Sequence, residues 1–385
     1  MNYIAFPKLV CYISLKYLLK KFNKFYFAHL LNIFNKLDGK EGNKVDATPK
    51  SMKNIIQQNI RQFLLANGSA TKVELSDKLG ISFPTISKFT AQMEENGELQ
   101  SAGLDDSSGG RRAKRYTYNP EYMLGLAIFL EKTETNYIVF NCLGEEKETG
   151  KISSALRDEN VKLLIEYVEA LQTQYPKISS ISIGVPGSVD NGRIIYSPDY
   201  EYLHDFDLKG YLENYFSIPV VIENDMNAAV LGYQDQQEKK NDKSLVYLYS
   251  GQNGPGAGII VNGKIVRGST NFAGEVSFVP QYNNRNFGQT FTNGKVFFSK
   301  EDEVDAISRL IASFVAIINP HAVIFCDDEV TQTTINQIKQ QSSTYIPAEH
   351  LPEFRMSDWK QDYLYGLQRL GLDLIITGIS SKTNE

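Results

Sequence analysis

The chain changes character near residue 118, and that break constrains its fold more than any other feature. Before it lies a helix-turn-helix pattern closed by the basic run Gly109-Gly110-Arg111-Arg112-Ala113-Lys114-Arg115. After it, apolar strand-like runs alternate with helical stretches in an acidic context. The whole-chain formal charge of −5 conceals this asymmetry. Residues 1–45 carry 8 Lys/Arg against 2 Asp/Glu, residues 50–118 carry 10 against 7, and residues 119–385 carry 22 against 35. An acidic body repels a polyanion, so any nucleic acid must meet the N-terminal part. The length of 385 residues suffices for two or three domains, each with its own core.

Only three cysteines occur, Cys11, Cys142 and Cys326, with no C-x-x-C spacing. This argues against a disulfide framework and a thiolate zinc site, and fits a reducing cytoplasm. Tyr3 to Leu37 is rich in Phe, Tyr, Leu and Ile but is interrupted by Lys8, Lys16, Lys20, Lys21, Lys24 and Lys36. No uncharged stretch reaches the roughly 20 residues that span a bilayer. No signal-peptide pattern is seen either. Residues 1–51 therefore read as a basic aromatic extension: a membrane-surface helix, a partner-binding arm, or disordered chain translated from an overcalled start, with Met52 as the alternative initiator. No function is assigned to them, and membrane contact is not expected.

Residues 38–50 read as linker. Ile55, Ile56, Ile60, Phe63, Leu64 and Leu65 recur at helical spacing and predict a helix ending at Asn67-Gly68. Thr71 and Glu74 form a capping-box pair for a second helix that stops at Gly80. Ser82 is placed to cap a third, with Pro84 in its first turn, running to Asn96-Gly97. Two short strands, Leu99–Ala102 and Arg115–Tyr118, flank a basic wing. This order resembles the winged helix-turn-helix of bacterial repressors, and it sets the domain 52–118. The third helix would enter the major groove with Thr85, Ser87 and Lys88, while Phe83, Ile86 and Phe89 face the core. Arg111 and Arg112 suit the narrow, negative minor groove, and Lys114 is expected to contact DNA beside them.

From Gly125 the apolar runs are Gly125–Phe129, Tyr137–Asn141, Ile178–Val185, Val220–Ile222, Leu245–Tyr249, Ala257–Val261 and Ala322–Phe325. Helical stretches lie at Asn160–Tyr175, Leu208–Tyr215, Met226–Gln237, Glu301–Ile318 and Asp362–Ile379. Two α/β lobes are expected, 119–240 and 241–385, the last helix returning to the first lobe. No tandem repeat is visible.

Four segments stand in a telling order: Gly184-Val185-Pro186-Gly187, then Glu223-Asn224-Asp225-Met226-Asn227-Ala228-Ala229, then the Gly-rich Ser250–Gly258, then Ala273-Gly274-Glu275-Val276. They resemble the G-x-P-G turn, the N-D-x-N-A-A motif, the Gly-rich loop and the A-G-E-I segment of the ROK family, over about two thirds of the chain. That family joins sugar-responsive repressors and sugar kinases. The resemblance implies a two-lobed actin-like ATPase-type (ribonuclease H-like) α/β sensor, with Pro186, Gly187, Asn224, Asp225 and Glu275 around a sugar. Asn224 and Asp225 follow a strand, where α/β proteins bind ligands. A plainer reading makes them a cap for the next helix.

The departures bear on kinase against regulator. Family kinases carry D-x-G-G-T in the first strand's turn, whereas here Ile128–Glu134 holds no glycine and places Glu131 and Glu134 where phosphate would sit. Phe325-Cys326-Asp327-Asp328 replaces the G-G turn near adenosine. Phe278 stands where members often have a His, and the C-x-C-G-x-x-G-C run is absent, so no structural zinc, cofactor or catalytic residue is expected. The reading is a cytoplasmic, sugar-responsive repressor of carbohydrate-utilisation genes, a homodimer or dimer of dimers on a double-stranded DNA operator. A ROK-type sugar kinase and a DNA-binding scaffold with a degenerate ligand site remain the alternatives.

Overall fold

A computed structural model describes residues 49–104, 112–155, 161–197, 200–237, 243–251, 254–282, 284–290 and 301–377. The aromatic extension before residue 49 and the wing tip with Arg111 lie outside the described residues. The chain forms two compact units, the first reaching Met123 and taking in Asn141–Leu143 and the end of the last helix from Ile376, the second built from the rest.

In the first unit α1 (Pro49–Asn67) buries Ile60, Leu64 and Leu65 on one face. It begins three residues before Met52, so the end of the expected linker is helical. β1 (Ala70–Thr71) leads into α2 (Lys72–Leu79), where Thr71 accepts the Glu74 N–H and Glu74 accepts the Thr71 N–H. That reciprocal pair satisfies two amides the first turn leaves open. The turn at Gly80 then leads to α3 (Phe83–Glu95), with Pro84 at its start. Ser82 occupies the cap position, but its hydroxyl pairs with the Thr85 hydroxyl at 2.8 Å instead of accepting a backbone N–H. Ile86, Phe89 and Met93 form the buried stripe of α3, packed with Leu75 beneath it. Phe83 is a correction: it is 48% exposed, since first-turn side chains lean off the end of the packed face. β2 (Leu99–Leu104) and β3 (Lys114–Tyr118) pair antiparallel, and β1 adds to β3 as a third strand the sequence did not reveal.

The second unit is built on two five-stranded sheets. The first contains β4 (Leu124–Leu130), β5 (Glu134–Asn141), β6 (Glu146–Ser153), β7 (Ile178–Val185) and β11 (Val220–Asn224), in the order β11-β7-β4-β5-β6. Its interleaved helices are α4 (Lys162–Gln174) and α5 (Leu208–Phe216). A small antiparallel sheet of β8 (Ser188–Asp190), β9 (Arg193–Tyr196) and β10 (Phe206–Asp207) stands beside it. After α6 (Asp225–Gln236) comes the second sheet, β12 (Leu245–Tyr249), β13 (Gly256–Val261), β14 (Lys264–Ile265), β15 (Ala322–Cys326) and β16 (Glu353–Ser357). Its order is β14-β13-β12-β15-β16. In each sheet the parallel strands lie on one side of the first strand and a hairpin continues the other. The two sheets therefore repeat one topology, as the two-lobed actin-like fold requires.

Helices α7 (Glu301–Ile317), α8 (Gln332–Ser342) and α9 (Trp359–Thr377) complete the unit. The described part of α9 packs against the first sheet: Ser180 Oγ donates to Gly371 O at 3.1 Å, and Gln368 Nε2 donates to Gly144 O at 2.7 Å. Its start is tied to the second sheet, because the Tyr247 hydroxyl donates to Asp362 at 2.9 Å. α9 crosses α6 at Gly366 and Gly232, where backbones meet directly. A Cβ on Gly366 would lie 1.8 Å from Ala228 O. Gly366→Ala is expected to force the helices apart and cost about 3 kcal/mol. Urea unfolding of the full chain measures this, and an unchanged midpoint would refute the tight crossing.

Candidate functional site

Asp225 sits where β11 ends and α6 begins, so a strand fixes its position and a helix N-terminus faces it. Asn224 caps α6, its Oδ1 accepting Asn227 N–H at 2.9 Å. The Asn224 amide donates to Gly187 O at 2.8 Å and to Asp225 Oδ1 at 2.9 Å. Asp225 Oδ1 also accepts the Met226 N–H at 2.8 Å. Both polar side-chain atoms of Asn224 are thereby engaged, and its work is to hold the Gly187 turn and Asp225 in place. Asp225 Oδ2 accepts nothing among the described residues and faces a cleft.

That cleft brings together all five residues singled out for ligand contact: Pro186, Gly187, Asn224, Asp225 and Glu275. It encloses about 770 Å³ with its open mouth included. Gly187 has φ +98°, and a Cβ there would lie 2.1 Å from Tyr196 O, so the turn can pass close to β9 only as glycine. Ser197 Oγ donates to Pro186 O at 2.9 Å and locks the same turn. Glu275 arrives from the segment after β14, and its carboxylate has no hydrogen-bond partner among the described residues. Burial raises the Glu275 carboxyl above its ordinary range. Burial, followed by the nearby Glu275 charge, pushes Asp225 up to about 7 against the Met226 N–H and the Asn224 amide. The described lining includes no Lys, Arg or His. Such a wall attracts groups that donate hydrogen bonds and repels anions.

The sequence missed several lining residues. Tyr196 enters from β9 and Asn271 from the segment before Glu275, both brought in by tertiary folding. The neighbouring Glu223 is buried, takes the Asn227 amide at 3.1 Å and pairs with Arg267. No spacing signals that pairing.

Behind the cleft, the turn between β4 and β5 is occupied by side chains. Burial pushes Glu131 up to about 7, the Lys360 ammonium opposing it. Burial acts the same way on Glu134, but Lys151 and Lys360 outweigh it and hold that carboxyl down at about 2. The two acids that the sequence places in this turn are thus paired with cations. Phe129, Tyr249, Trp359 and Tyr363 cluster beside them, with Tyr249 and Trp359 stacked at 3.9 Å and the Phe129 and Tyr363 rings tilted against each other at 4.1 Å. Among the described residues, Cys326, Asp327 and Asp328 are the group of three potential metal ligands. Burial and the Asp328 carboxylate raise the Cys326 thiol, which donates to Asp328 at 2.7 Å and so disfavours the thiolate a metal needs.

In the first unit, Lys88 and Arg112 are exposed and form no ion pair among the described residues. Thr85 is bonded to Ser82, and Ser87 accepts Lys72 Nζ at 3.2 Å, so Lys72 joins this face unannounced by the sequence. Lys114 is paired with Glu94. Its charge is partly spent within the unit, which weakens its expected contact with DNA.

Residues 126–288 match the model of the ROK family, and the chain carries a ROK domain there. The xylose repressor of Bacillus spizizenii is 27% identical over 239 residues, 58% of this chain and 60% of that protein. The chain thus spans about 60% of the length of that relative. The crystal structure of a ROK family transcriptional regulator, a homologue of the Escherichia coli Mlc protein, superposes with a TM-score of 0.60 at 18% identity. It covers 84% of this chain and 98% of that one. The ROK hexokinase of Thermus thermophilus superposes with a TM-score of 0.52 at 18% identity over 64% of this chain and 97% of that one. At such identities the superpositions establish the actin-like α/β fold.

Proposed function

We propose that the chain is a sugar-responsive, DNA-binding transcriptional repressor. Asp225 Oδ2 and the Glu275 carboxylate, neither with a hydrogen-bond partner among the described residues, line one cleft whose described lining holds no cation, inside a ROK domain. That observation carries the reading. A polyol offers many hydroxyl donors, so it satisfies both acids where water alone would leave them partly desolvated. The effector is a neutral sugar or amino sugar, and sugar phosphates are repelled. The first unit acts as a winged helix-turn-helix, with α3 in the major groove and Lys88 and Arg112 toward DNA. The working form is a cytoplasmic homodimer or dimer of dimers on a pseudo-palindromic operator. The effector lowers operator affinity because it prefers one of two states of the protein.

A sugar kinase is the second reading, favoured by the Asp225 value near 7, which suits a general base. Against it stand the aromatic cluster of Phe129, Tyr249, Trp359 and Tyr363, and the Lys360 pairs, where a kinase turn would cradle phosphates.

The test is fluorescence anisotropy of the full chain on operator DNA selected from genomic fragments, with and without D-xylose, D-glucose and N-acetyl-D-glucosamine. One sugar is expected to weaken binding, and its 6- or 5-phosphate to have no effect. Lys88→Ala should weaken binding about tenfold and lower the salt slope by about 1. Unchanged affinity in Lys88→Ala and Arg112→Ala would overturn the docking of α3.

A further inference from the structure

The floor of the cleft is polar, but its rim is aromatic. The 3-10 turn Val276–Phe278 buries Val276 and turns Phe278 outward, 48% exposed. Phe272 is 43% exposed and packs on Phe278 with ring centroids 5.3 Å apart. From β9, Tyr196 meets Phe278 edge-on at 6.3 Å. Tyr196 and Phe278 line the cleft, whereas Phe272 stands outside the lining. The aromatic surface therefore continues beyond the space that a ligand seated on Asp225 and Glu275 fills. Single exposed apolar side chains are commonplace, but contiguous rings at the mouth of a site form a contact surface.

We propose that Phe278 and Phe272, with Tyr196, form a stacking platform for a second ring, so that the effector is a two-ring glycoside instead of a free monosaccharide. This rests on the reading of the cleft as a sugar site. A pyranose has hydroxyls around its edge and C–H bonds on its faces. The first ring places its hydroxyls on Asp225 and Glu275, and the second lays a C–H face on the aromatic rings. The absence of cations from the described lining keeps both rings unphosphorylated. Phe278 also sets specificity by removing the imidazole that the resemblance places at this position: a hydrogen-bonding contact is exchanged for an apolar one.

Calorimetric titration of the full chain tests this with matched pairs: D-xylose and xylobiose, D-glucose and cellobiose, N-acetyl-D-glucosamine and chitobiose, and the phenyl β-glycoside of each monosaccharide. At least one two-ring ligand is expected to bind about tenfold or more tightly than its monosaccharide. That ratio should fall to within twofold in Phe278→Ala and in Phe272→Ala, whereas Asp225→Ala loses both ligands. Both phenylalanines are exposed, so circular dichroism of these variants should match the parent protein. Equal affinity for a monosaccharide and all its glycosides, with binding lost in Asp225→Ala, would overturn the platform and leave the sugar site standing. No binding of any of these ligands would overturn both.

Discussion

Asp225→Asn is expected to raise thermal stability at pH 8 and to weaken sugar binding by about 100-fold, two effects of opposite sign from one oxygen. The folded protein raises the Asp225 carboxyl to about 7 from its ordinary 3.8, chiefly by burial and then by the Glu275 charge. A carboxyl raised on folding stabilises fully below its unfolded value, and that contribution is lost as pH rises through about 7. At pH 8 the ionised group therefore opposes folding, and the neutral amide removes the opposition. Asparagine keeps an oxygen to accept the Met226 N–H and so preserves the strand-to-helix junction. It withdraws the charged acceptor that a sugar hydroxyl needs, a bond roughly twice as strong as its neutral counterpart. Sugar affinity in the parent protein should rise between pH 6 and pH 8, and the variant should lose the part of that rise that Asp225 contributes. Unfolding midpoints across pH 5–8 and calorimetry with D-xylose, D-glucose and their phenyl glycosides measure both. A variant less stable at pH 8 that binds normally would make Asp225 a structural residue.

Arg61→Ala should abolish DNA binding and leave the sugar response intact. Glu98 is 4% exposed, and Arg61 donates to its Oε1 from Nε at 2.8 Å and from a terminal nitrogen at 2.6 Å. The guanidinium also lies 5.9 Å from the Tyr118 ring, joining α1 to β3. Removing it strands a buried carboxylate, a loss of about 3–5 kcal/mol. A small unit has little stability in reserve and unfolds under such a loss. The double replacement Arg61→Met with Glu98→Leu should restore much of the stability, since the charge is removed with its partner. Thermal unfolding followed by circular dichroism, with anisotropy on DNA, reports both outcomes. Full DNA affinity in Arg61→Ala would show that the pair is dispensable.

What was legible in the sequence was what short-range chemistry determines. Thr71 and Glu74 are three residues apart and can cap only a helix that starts there, and the turn at Gly80 follows from the same local rules. The buried strands β7, β12 and β15 announce themselves as apolar runs. The edge strands do not: β6 reads Glu146-Lys147-Glu148-Thr149-Gly150-Lys151-Ile152-Ser153 and is half water-exposed, so no apolar pattern marks it. β16 escaped for the same reason. Without them the shared strand order of the two sheets stays hidden, because topology repeats here where residues do not. In the cleft, Asn224, Asp225 and Glu275 were visible through their motifs, whereas Tyr196 and Asn271 arrive through folds of the chain that no local spacing records. Glu134 shows the limit most plainly. It reads as an exposed acid in the sequence, yet its partner Lys360 comes from a helix 226 residues away.

The most direct measurement of the central claim is a thermal-shift titration of the full chain with D-xylose, D-glucose, N-acetyl-D-glucosamine and their glycosides, each with and without Mg-ATP. A shift with at least one neutral sugar is expected, indifferent to Mg-ATP and absent in Asp225→Ala. A shift that requires Mg-ATP, with ADP released, would make the protein a kinase. No shift with any of these sugars would contradict the sensing role assigned to Asp225 and Glu275.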